Sequence, residues 1–110
     1  MGAVMTALER SRERIVPPEC WSIGHEAGAG AVTAAGEMVD AQSPDAVRWC
    51  AIGALRSVIP KPDPLYPICL HYIWRGTKEY HETTNLHEEN HGMVLSVYDR
   101  AIRMAKEDGV

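Results

Sequence analysis

The chain has 110 residues, of which 45% are hydrophobic and 24% are charged, and its formal net charge is −4. This balance is typical of a single globular domain over residues 1–110 and excludes a disordered tail. The acidic net charge argues against nucleic acid as the main ligand. No apolar run reaches the roughly 18–20 residues that span a bilayer, so we expect no membrane insertion.

The cysteines indicate the compartment. Cys20, Cys50 and Cys69 are widely spaced, odd in number and outside any C-x-x-C motif. This usage argues against a disulfide framework and predicts reduced thiols in a cytoplasmic protein.

The first helix is predicted to begin at Thr6. Thr6 and Glu9 have the spacing of a capping box, in which each side chain accepts a backbone N–H at the helix start. The charged residues that follow predict a solvated face, and Pro17-Pro18 ends the helix because proline has no N–H to donate.

The next segment predicts a small β-hairpin or extended segment near residues 29–40. Gly36-Glu37 has the composition of a turn and lies between the segments AVTAA and MVDA.

A central core helix is predicted over residues 44–59. Ser43-Pro44-Asp45 is a typical helix start, since serine caps the first turn and proline fits its backbone geometry. The run AVRWCAIGALRSVI is apolar on nearly all sides, which predicts that other helices enclose it. Gly53 within it predicts the close approach of another backbone.

Two more helices are predicted in the second half of the chain. The third begins near Asp63 or Tyr66 and ends at Gly76, where we expect a left-handed C-cap. A polar loop follows over residues 77–89, and the fourth helix begins after Asn90.

The fourth helix is predicted to end at Gly109, and Asp99 and Arg103 within it have the spacing of an ion pair. The expected fold class is therefore mainly α, with about four helices packed around a central apolar helix and a small hairpin.

Two segments carry a resemblance to a known family. Ala46–Leu55 reads AVRWCAIGAL, and Val94–Ile102 reads VLSVYDRAI. In this order and separation they resemble the bacterial and phage domain of unknown function 6197, over roughly residues 20–106. Members usually carry an Asn-Asp pair before the last helix, where this chain has Asn85-Leu86. The resemblance implies a small bacterial or phage-encoded domain and implies no activity.

One segment has the pattern of a metal site. His87–His91 reads HEENH and fits H-E-x-x-H, in which two histidines bind zinc and the glutamate activates a water. Asn90 is the predicted N-cap, so the first His-Glu pair falls before the helix that should align the ligands. A solvated polar loop is therefore favoured. The alternatives are zinc bound by His81, His87 and His91, and a zinc-dependent hydrolase that uses His87, Glu88 and His91.

Aromatic residues suggest two other sites. Trp21, His25 and Trp49 could line a small-ligand pocket. Trp74 and Arg75 are predicted to form an exposed aromatic–cation pair, of the type enriched at interaction hot spots.

Neither a catalytic constellation nor a cofactor-binding motif is predicted. The favoured function is a small, non-enzymatic cytoplasmic binding or regulatory protein that acts through an unidentified protein partner. The zinc-dependent hydrolase and the small-ligand binder are the alternatives, and homo-oligomerisation stays open.

Overall fold

The computed structural model describes residues 2–22, 30–78 and 91–110. These parts contain four α-helices, a 3-10 helix and three short strands, which confirms a mainly α fold with a small β-hairpin. None of the helices described there is long and apolar enough to cross a membrane. The elements are α1 (Ala3–Ile15), the 3-10 helix (Pro18–Cys20), β1 (Gly30–Val32), β2 (Met38–Asp40), β3 (Arg48–Trp49), α2 (Ala51–Val58), α3 (Leu65–Lys78) and α4 (His91–Asp108).

Helix α1 begins before Thr6, so the predicted capping box is wrong. Its N-cap is Gly2, which has a positive φ of 69° and makes no side-chain capping bond. The first N–H groups of α1 instead find a backbone acceptor in Val110, which is distant in sequence. The backbone oxygen of Val110 accepts the N–H groups of Val4 and Met5 at 2.8 and 3.3 Å.

The three strands form one antiparallel sheet in the order β2-β1-β3. The hairpin of β1 and β2 turns at Gly36, whose φ is 86°, so the predicted turn is confirmed. Ala31 in β1 lies opposite Val39 on one side and Trp49 on the other. The third strand was not predicted.

Helix α2 starts later than predicted, because the chain from Ser43 to Cys50 is a turn followed by β3. The Ser43 hydroxyl does accept the Asp45 N–H at 3.2 Å, but it stabilises only that turn. The Trp49 indole is 8% exposed and donates its N–H to the Ala41 carbonyl at 3.0 Å. An extended backbone permits this burial, which outweighs the local preference for helix.

Gly53 lies directly against the backbone of Gly30, which confirms the predicted close approach. A Cβ added at Gly53 would lie 1.8 Å from the Gly30 carbonyl oxygen. The same oxygen accepts the Cys50 N–H at 3.2 Å, so β1 and the start of α2 are joined backbone to backbone. Helix α2 also contacts α1 and α3. That it is the centre of the fold stays a prediction.

Helix α3 starts close to the predicted position, where the Asp63 carboxylate accepts the Leu65 N–H at 2.8 Å. Gly76 lies inside this helix and is not its C-cap, so that prediction is wrong. A Cβ at Gly76 would lie 2.7 Å from the Val97 carbonyl oxygen of α4. The glycine therefore permits close packing of the two helices.

Helix α4 ends at Gly109, as predicted. Gly109 has a φ of 76°, and its N–H and that of Val110 donate to the carbonyls of Lys106 and Ala105. This is the Schellman arrangement of a helix end.

The predicted ion pair between Asp99 and Arg103 does not form. Asp99 pairs with Arg12 of α1 at 2.7 Å, and Arg103 pairs with Glu107 at 3.6 Å. The pair with Arg12 links α1 and α4, since Asp99 faces α1 rather than its own helical neighbour.

Candidate functional site

Two predicted pocket residues meet where α1 ends. Trp21 and Trp49 pair in a parallel β-bridge, and the Ser22 N–H donates to the Trp49 carbonyl at 3.0 Å. The Trp49 ring is buried, whereas Trp21 is half-buried. His25, the third predicted pocket residue, lies outside the described residues. The structure therefore brings the backbones of Trp21 and Trp49 together, and the small-ligand pocket stays a prediction.

The third ring at this place is His91, the first residue of α4. It stacks on Trp21 with ring centroids 5.7 Å apart and an interplanar angle of 30°. Its Nε2–H donates to the carbonyl of Ile15, the last residue of α1, at 2.5 Å. Helix C-termini carry partial negative charge, so this contact is electrostatically favourable. The histidine thereby joins the start of α4 to the end of α1.

This contact bears on the predicted zinc site. With Nε2 protonated and bonded to Ile15, only the Nδ1 of His91 has a lone pair for a metal. His81, His87 and Glu88 lie outside the described residues. Among the residues that the structure does describe, no group of three or more His, Cys, Asp or Glu side chains is arranged to hold a metal ion. Zinc binding and zinc-dependent hydrolysis stay predictions.

A cation lies beside the same cluster. The Arg14 guanidinium lies over the Trp49 ring, 4.8 Å from its centroid, at cation–π distance. Arg14 also borders an open groove of about 530 Å³ between α1 and α2. The groove is lined by Arg10, Glu13, Arg14, Ser57 and Val58.

The sequence pattern does not predict this groove. Acids and bases alternate along α1, and that alternation predicts a solvated face. One signal was present. Arg10 and Arg14 lie one helical turn apart, and Arg14 has no acidic residue three or four positions away in either direction.

The outer face of α3 carries exposed apolar side chains. Ile68 is 47% exposed and Trp74 is 54% exposed, and the exposed residues Pro67 and His71 lie on the same side of the helix. We call Pro67, Ile68, His71 and Trp74 the α3 outer face. The exposure predicted for Trp74 is confirmed.

Arg75 borders this face, but its cation–π partner is Tyr72 rather than Trp74. The Arg75 guanidinium lies 5.5 Å from the centroid of the Tyr72 ring and 3.5 Å from an Asp108 carboxylate oxygen. The Tyr72 hydroxyl donates to the same carboxylate at 2.6 Å, and this bond raises the pKa of Tyr72. The three side chains fix α3 against the end of α4.

None of the three cysteines is in a disulfide in this structure. Cys50 is the N-cap of α2, and its sulfur accepts the Gly53 N–H at 3.3 Å. Cys69 is fully buried, and burial together with the negative charge of Asp63 raises its pKa to about 11. Because the thiolate is the reactive form, Cys69 is a packing residue and a poor nucleophile.

The chain has no match among known family models, curated proteins or solved structures. The resemblance to the domain of unknown function 6197 therefore stays a prediction.

Proposed function

We propose that this protein is a small cytoplasmic, non-enzymatic binding or regulatory protein that acts through protein contacts, and that the α3 outer face docks the partner. The observation that carries the proposal is the exposure of Trp74 and Ile68, which are both about half accessible. Tryptophan is the residue type most enriched at interaction hot spots, because it buries a large area with little loss of conformational entropy. The three free thiols support a reducing compartment.

The packing of α3 against the rest of the protein indicates that the α3 outer face is a preformed binding surface. The opposite side of α3 is buried, with Cys69 and Ile73 at most 1% exposed. Gly76 packs against the Val97 backbone, and Tyr72 is hydrogen-bonded to Asp108. A helix held in this way presents its outer side chains in one arrangement, which reduces the entropy lost on binding.

The charge of α3 indicates the chemistry of the partner. The helix contains no aspartate or glutamate, and Arg75 borders its exposed side. Because Arg75 is already paired with Asp108 at 3.5 Å, this border offers N–H donors rather than an unpaired positive charge. The occupant that fits best is a different protein with an apolar patch and hydrogen-bond acceptors at its rim.

The experiment compares the wild-type protein with the double variant Ile68→Ala/Trp74→Ala. Partners are captured from extracts of the source cell, identified by mass spectrometry and purified, and Kd is then measured by calorimetry. We expect the double variant to raise Kd about 30-fold, the effect of losing ~2 kcal/mol at an aromatic hot spot. Because both side chains are exposed, we expect the variant to fold normally by circular dichroism.

The matched control is Met38→Ala, which removes another apolar side chain that is 51% exposed, on strand β2. It should leave Kd unchanged. Equal weakening by the control, or no weakening by the double variant, would contradict the proposal. If light scattering shows a dimer that the double variant abolishes, the occupant is a second copy and the proposed partner is wrong.

A further inference from the structure

The groove between α1 and α2 has the features of a second binding site. Arg10, Glu13 and Arg14 line it from α1, and Ser57 and Val58 line it from α2. It belongs to different elements from the α3 outer face, so its function can be tested separately.

The two arginines of this groove have no acidic partner within the described ranges 2–22, 30–78 and 91–110. By contrast, Arg12, Arg56 and Arg75 each pair with an aspartate. Among the residues that the structure describes, this lack of acidic partners is notable because the chain has a net charge of −4. Two like charges one turn apart destabilise a helix, and an anion bound between them would relieve that repulsion.

Contact with the Trp49 ring orients the side chain of Arg14. Its guanidinium lies 4.8 Å from the centroid of the Trp49 ring. That ring is buried, and its N–H is bonded to the Ala41 carbonyl, so it is a fixed platform. A guanidinium stacked on an aromatic ring keeps its edge N–H groups available for a carboxylate.

The other polar groups of the groove are acceptors. The Ser57 hydroxyl donates its hydrogen to the Ala54 carbonyl at 2.7 Å, which leaves the lone pairs of its oxygen for a ligand. The Glu13 carboxylate can only accept. An acidic peptide matches this set, because its carboxylates pair with arginines while its backbone N–H groups donate. A phosphodiester backbone supplies acceptors alone, and free phosphate has at most two hydroxyl donors on a single small ion, so neither can reach both arginines and both acceptors as an extended peptide can.

We propose that the groove binds an acidic peptide segment of a partner protein, with carboxylates on Arg10 and Arg14 and backbone N–H groups on Glu13 and Ser57. The side chain of Val58 provides an apolar wall for the peptide. This proposal extends the proposed function, since it adds a second contact surface to a protein-binding protein.

The test uses a fluorescently labelled oligoglutamate peptide and measures its anisotropy with the full chain. We expect wild-type protein to bind it, with affinity that falls as salt is added. The double variant Arg10→Gln/Arg14→Gln should raise Kd about tenfold or more, because two charge-assisted contacts are lost. Arg14→Lys should also weaken binding, since lysine keeps the charge but lacks the planar fork.

The matched control is Arg103→Gln/Lys106→Gln, which removes two positive charges from the exposed side of α4. It should bind the peptide as wild type does, and circular dichroism should show that both double variants are folded. Equal weakening by the control would mean nonspecific attraction and overturn the proposal. Tighter binding of a single-stranded oligonucleotide would also overturn it, as would competition by inorganic phosphate at the same concentration as unlabelled peptide.

A final comparison tests the groove and the α3 outer face separately. Ile68→Ala/Trp74→Ala should bind oligoglutamate with unchanged Kd, because neither residue lines the groove. Failure of the groove variants to weaken peptide binding would refute the groove and leave the α3 proposal standing. Loss of peptide binding in the α3 variant would place the peptide on α3 and refute the groove.

Discussion

At the scale of single residues, Gly53 is the described glycine where an added Cβ would come closest to a neighbouring atom. A Cβ there would overlap the Gly30 carbonyl oxygen, and that oxygen is already bonded to the Cys50 N–H. We expect Gly53→Ala to reduce the free energy of unfolding by about 2–3 kcal/mol, even though alanine is the better helix former by ~1 kcal/mol. Urea denaturation followed by circular dichroism measures the change.

Gly36→Ala is the control for this substitution. Gly36 also has a special backbone, with a φ of 86°, but a Cβ there would have no other atom within 4 Å. Its replacement should reduce stability by about 1–2 kcal/mol, the cost of the left-handed conformation alone. If Gly53→Ala is no more destabilising than Gly36→Ala, the backbone contact between β1 and α2 is not the constraint described above.

At the scale of elements, the start of α2 depends on an unusual cap. The Cys50 sulfur accepts the Gly53 N–H at 3.3 Å, a position where serine, threonine, asparagine or aspartate is usual. We expect Cys50→Ala to reduce the free energy of unfolding by about 1 kcal/mol, because the N–H loses its acceptor. Cys50→Ser should stay within ~0.5 kcal/mol of wild type, since a hydroxyl oxygen replaces the sulfur. A serine variant as unstable as the alanine variant would show that packing, and not capping, matters at this position.

The elements also show how far local sequence could predict the fold. The hairpin turn at Gly36 and the end of α4 at Gly109 were predicted correctly, because each depends on a left-handed backbone that glycine adopts at low cost. The starts of α1 and α2 were predicted wrongly. In α1 the N-terminal N–H groups are satisfied by Val110, which is distant in sequence. In α2 the burial of Trp49 outweighs the helix signal that begins at Ser43.

Local sequence likewise predicts some features of the candidate sites and fails for those that depend on distant contacts. The exposure of Trp74 was predictable because it lies beside Arg75 near the predicted end of α3. The contact of His91 with Trp21 and Ile15 was not, because it joins the start of α4 to residues more than 60 positions earlier in the chain. The groove at Arg14 needs the α1–α2 packing and the Trp49 ring, and neither can be read from local spacing.

At the scale of the whole molecule, the core contains one thiol and two tyrosine hydroxyls whose pKa values are raised by the fold. Burial, assisted by the charge of Asp63, raises the pKa of the Cys69 thiol from 9.0 to about 11. Burial is also the main cause of the raised pKa values of Tyr66 and Tyr98, whose side chains lie in the same core. In the folded chain these groups hold their protons more strongly than in the unfolded chain. The contribution to stability is therefore complete below the unfolded pKa values and is lost as the pH rises through the folded ones.

We accordingly expect the free energy of unfolding to fall as the pH rises from 9.0 to about 11, with Cys69 accounting for about 2–3 kcal/mol of the loss. Urea denaturation across this range, followed by circular dichroism, measures the slope. Cys69→Val should have a shallower slope because it removes the thiol, whatever its stability at neutral pH. The tyrosines should still make the stability of this variant fall as the pH rises, and tyrosinate absorbance should rise together with unfolding. A wild-type stability independent of pH over this range would show that these groups are not held protonated by the fold.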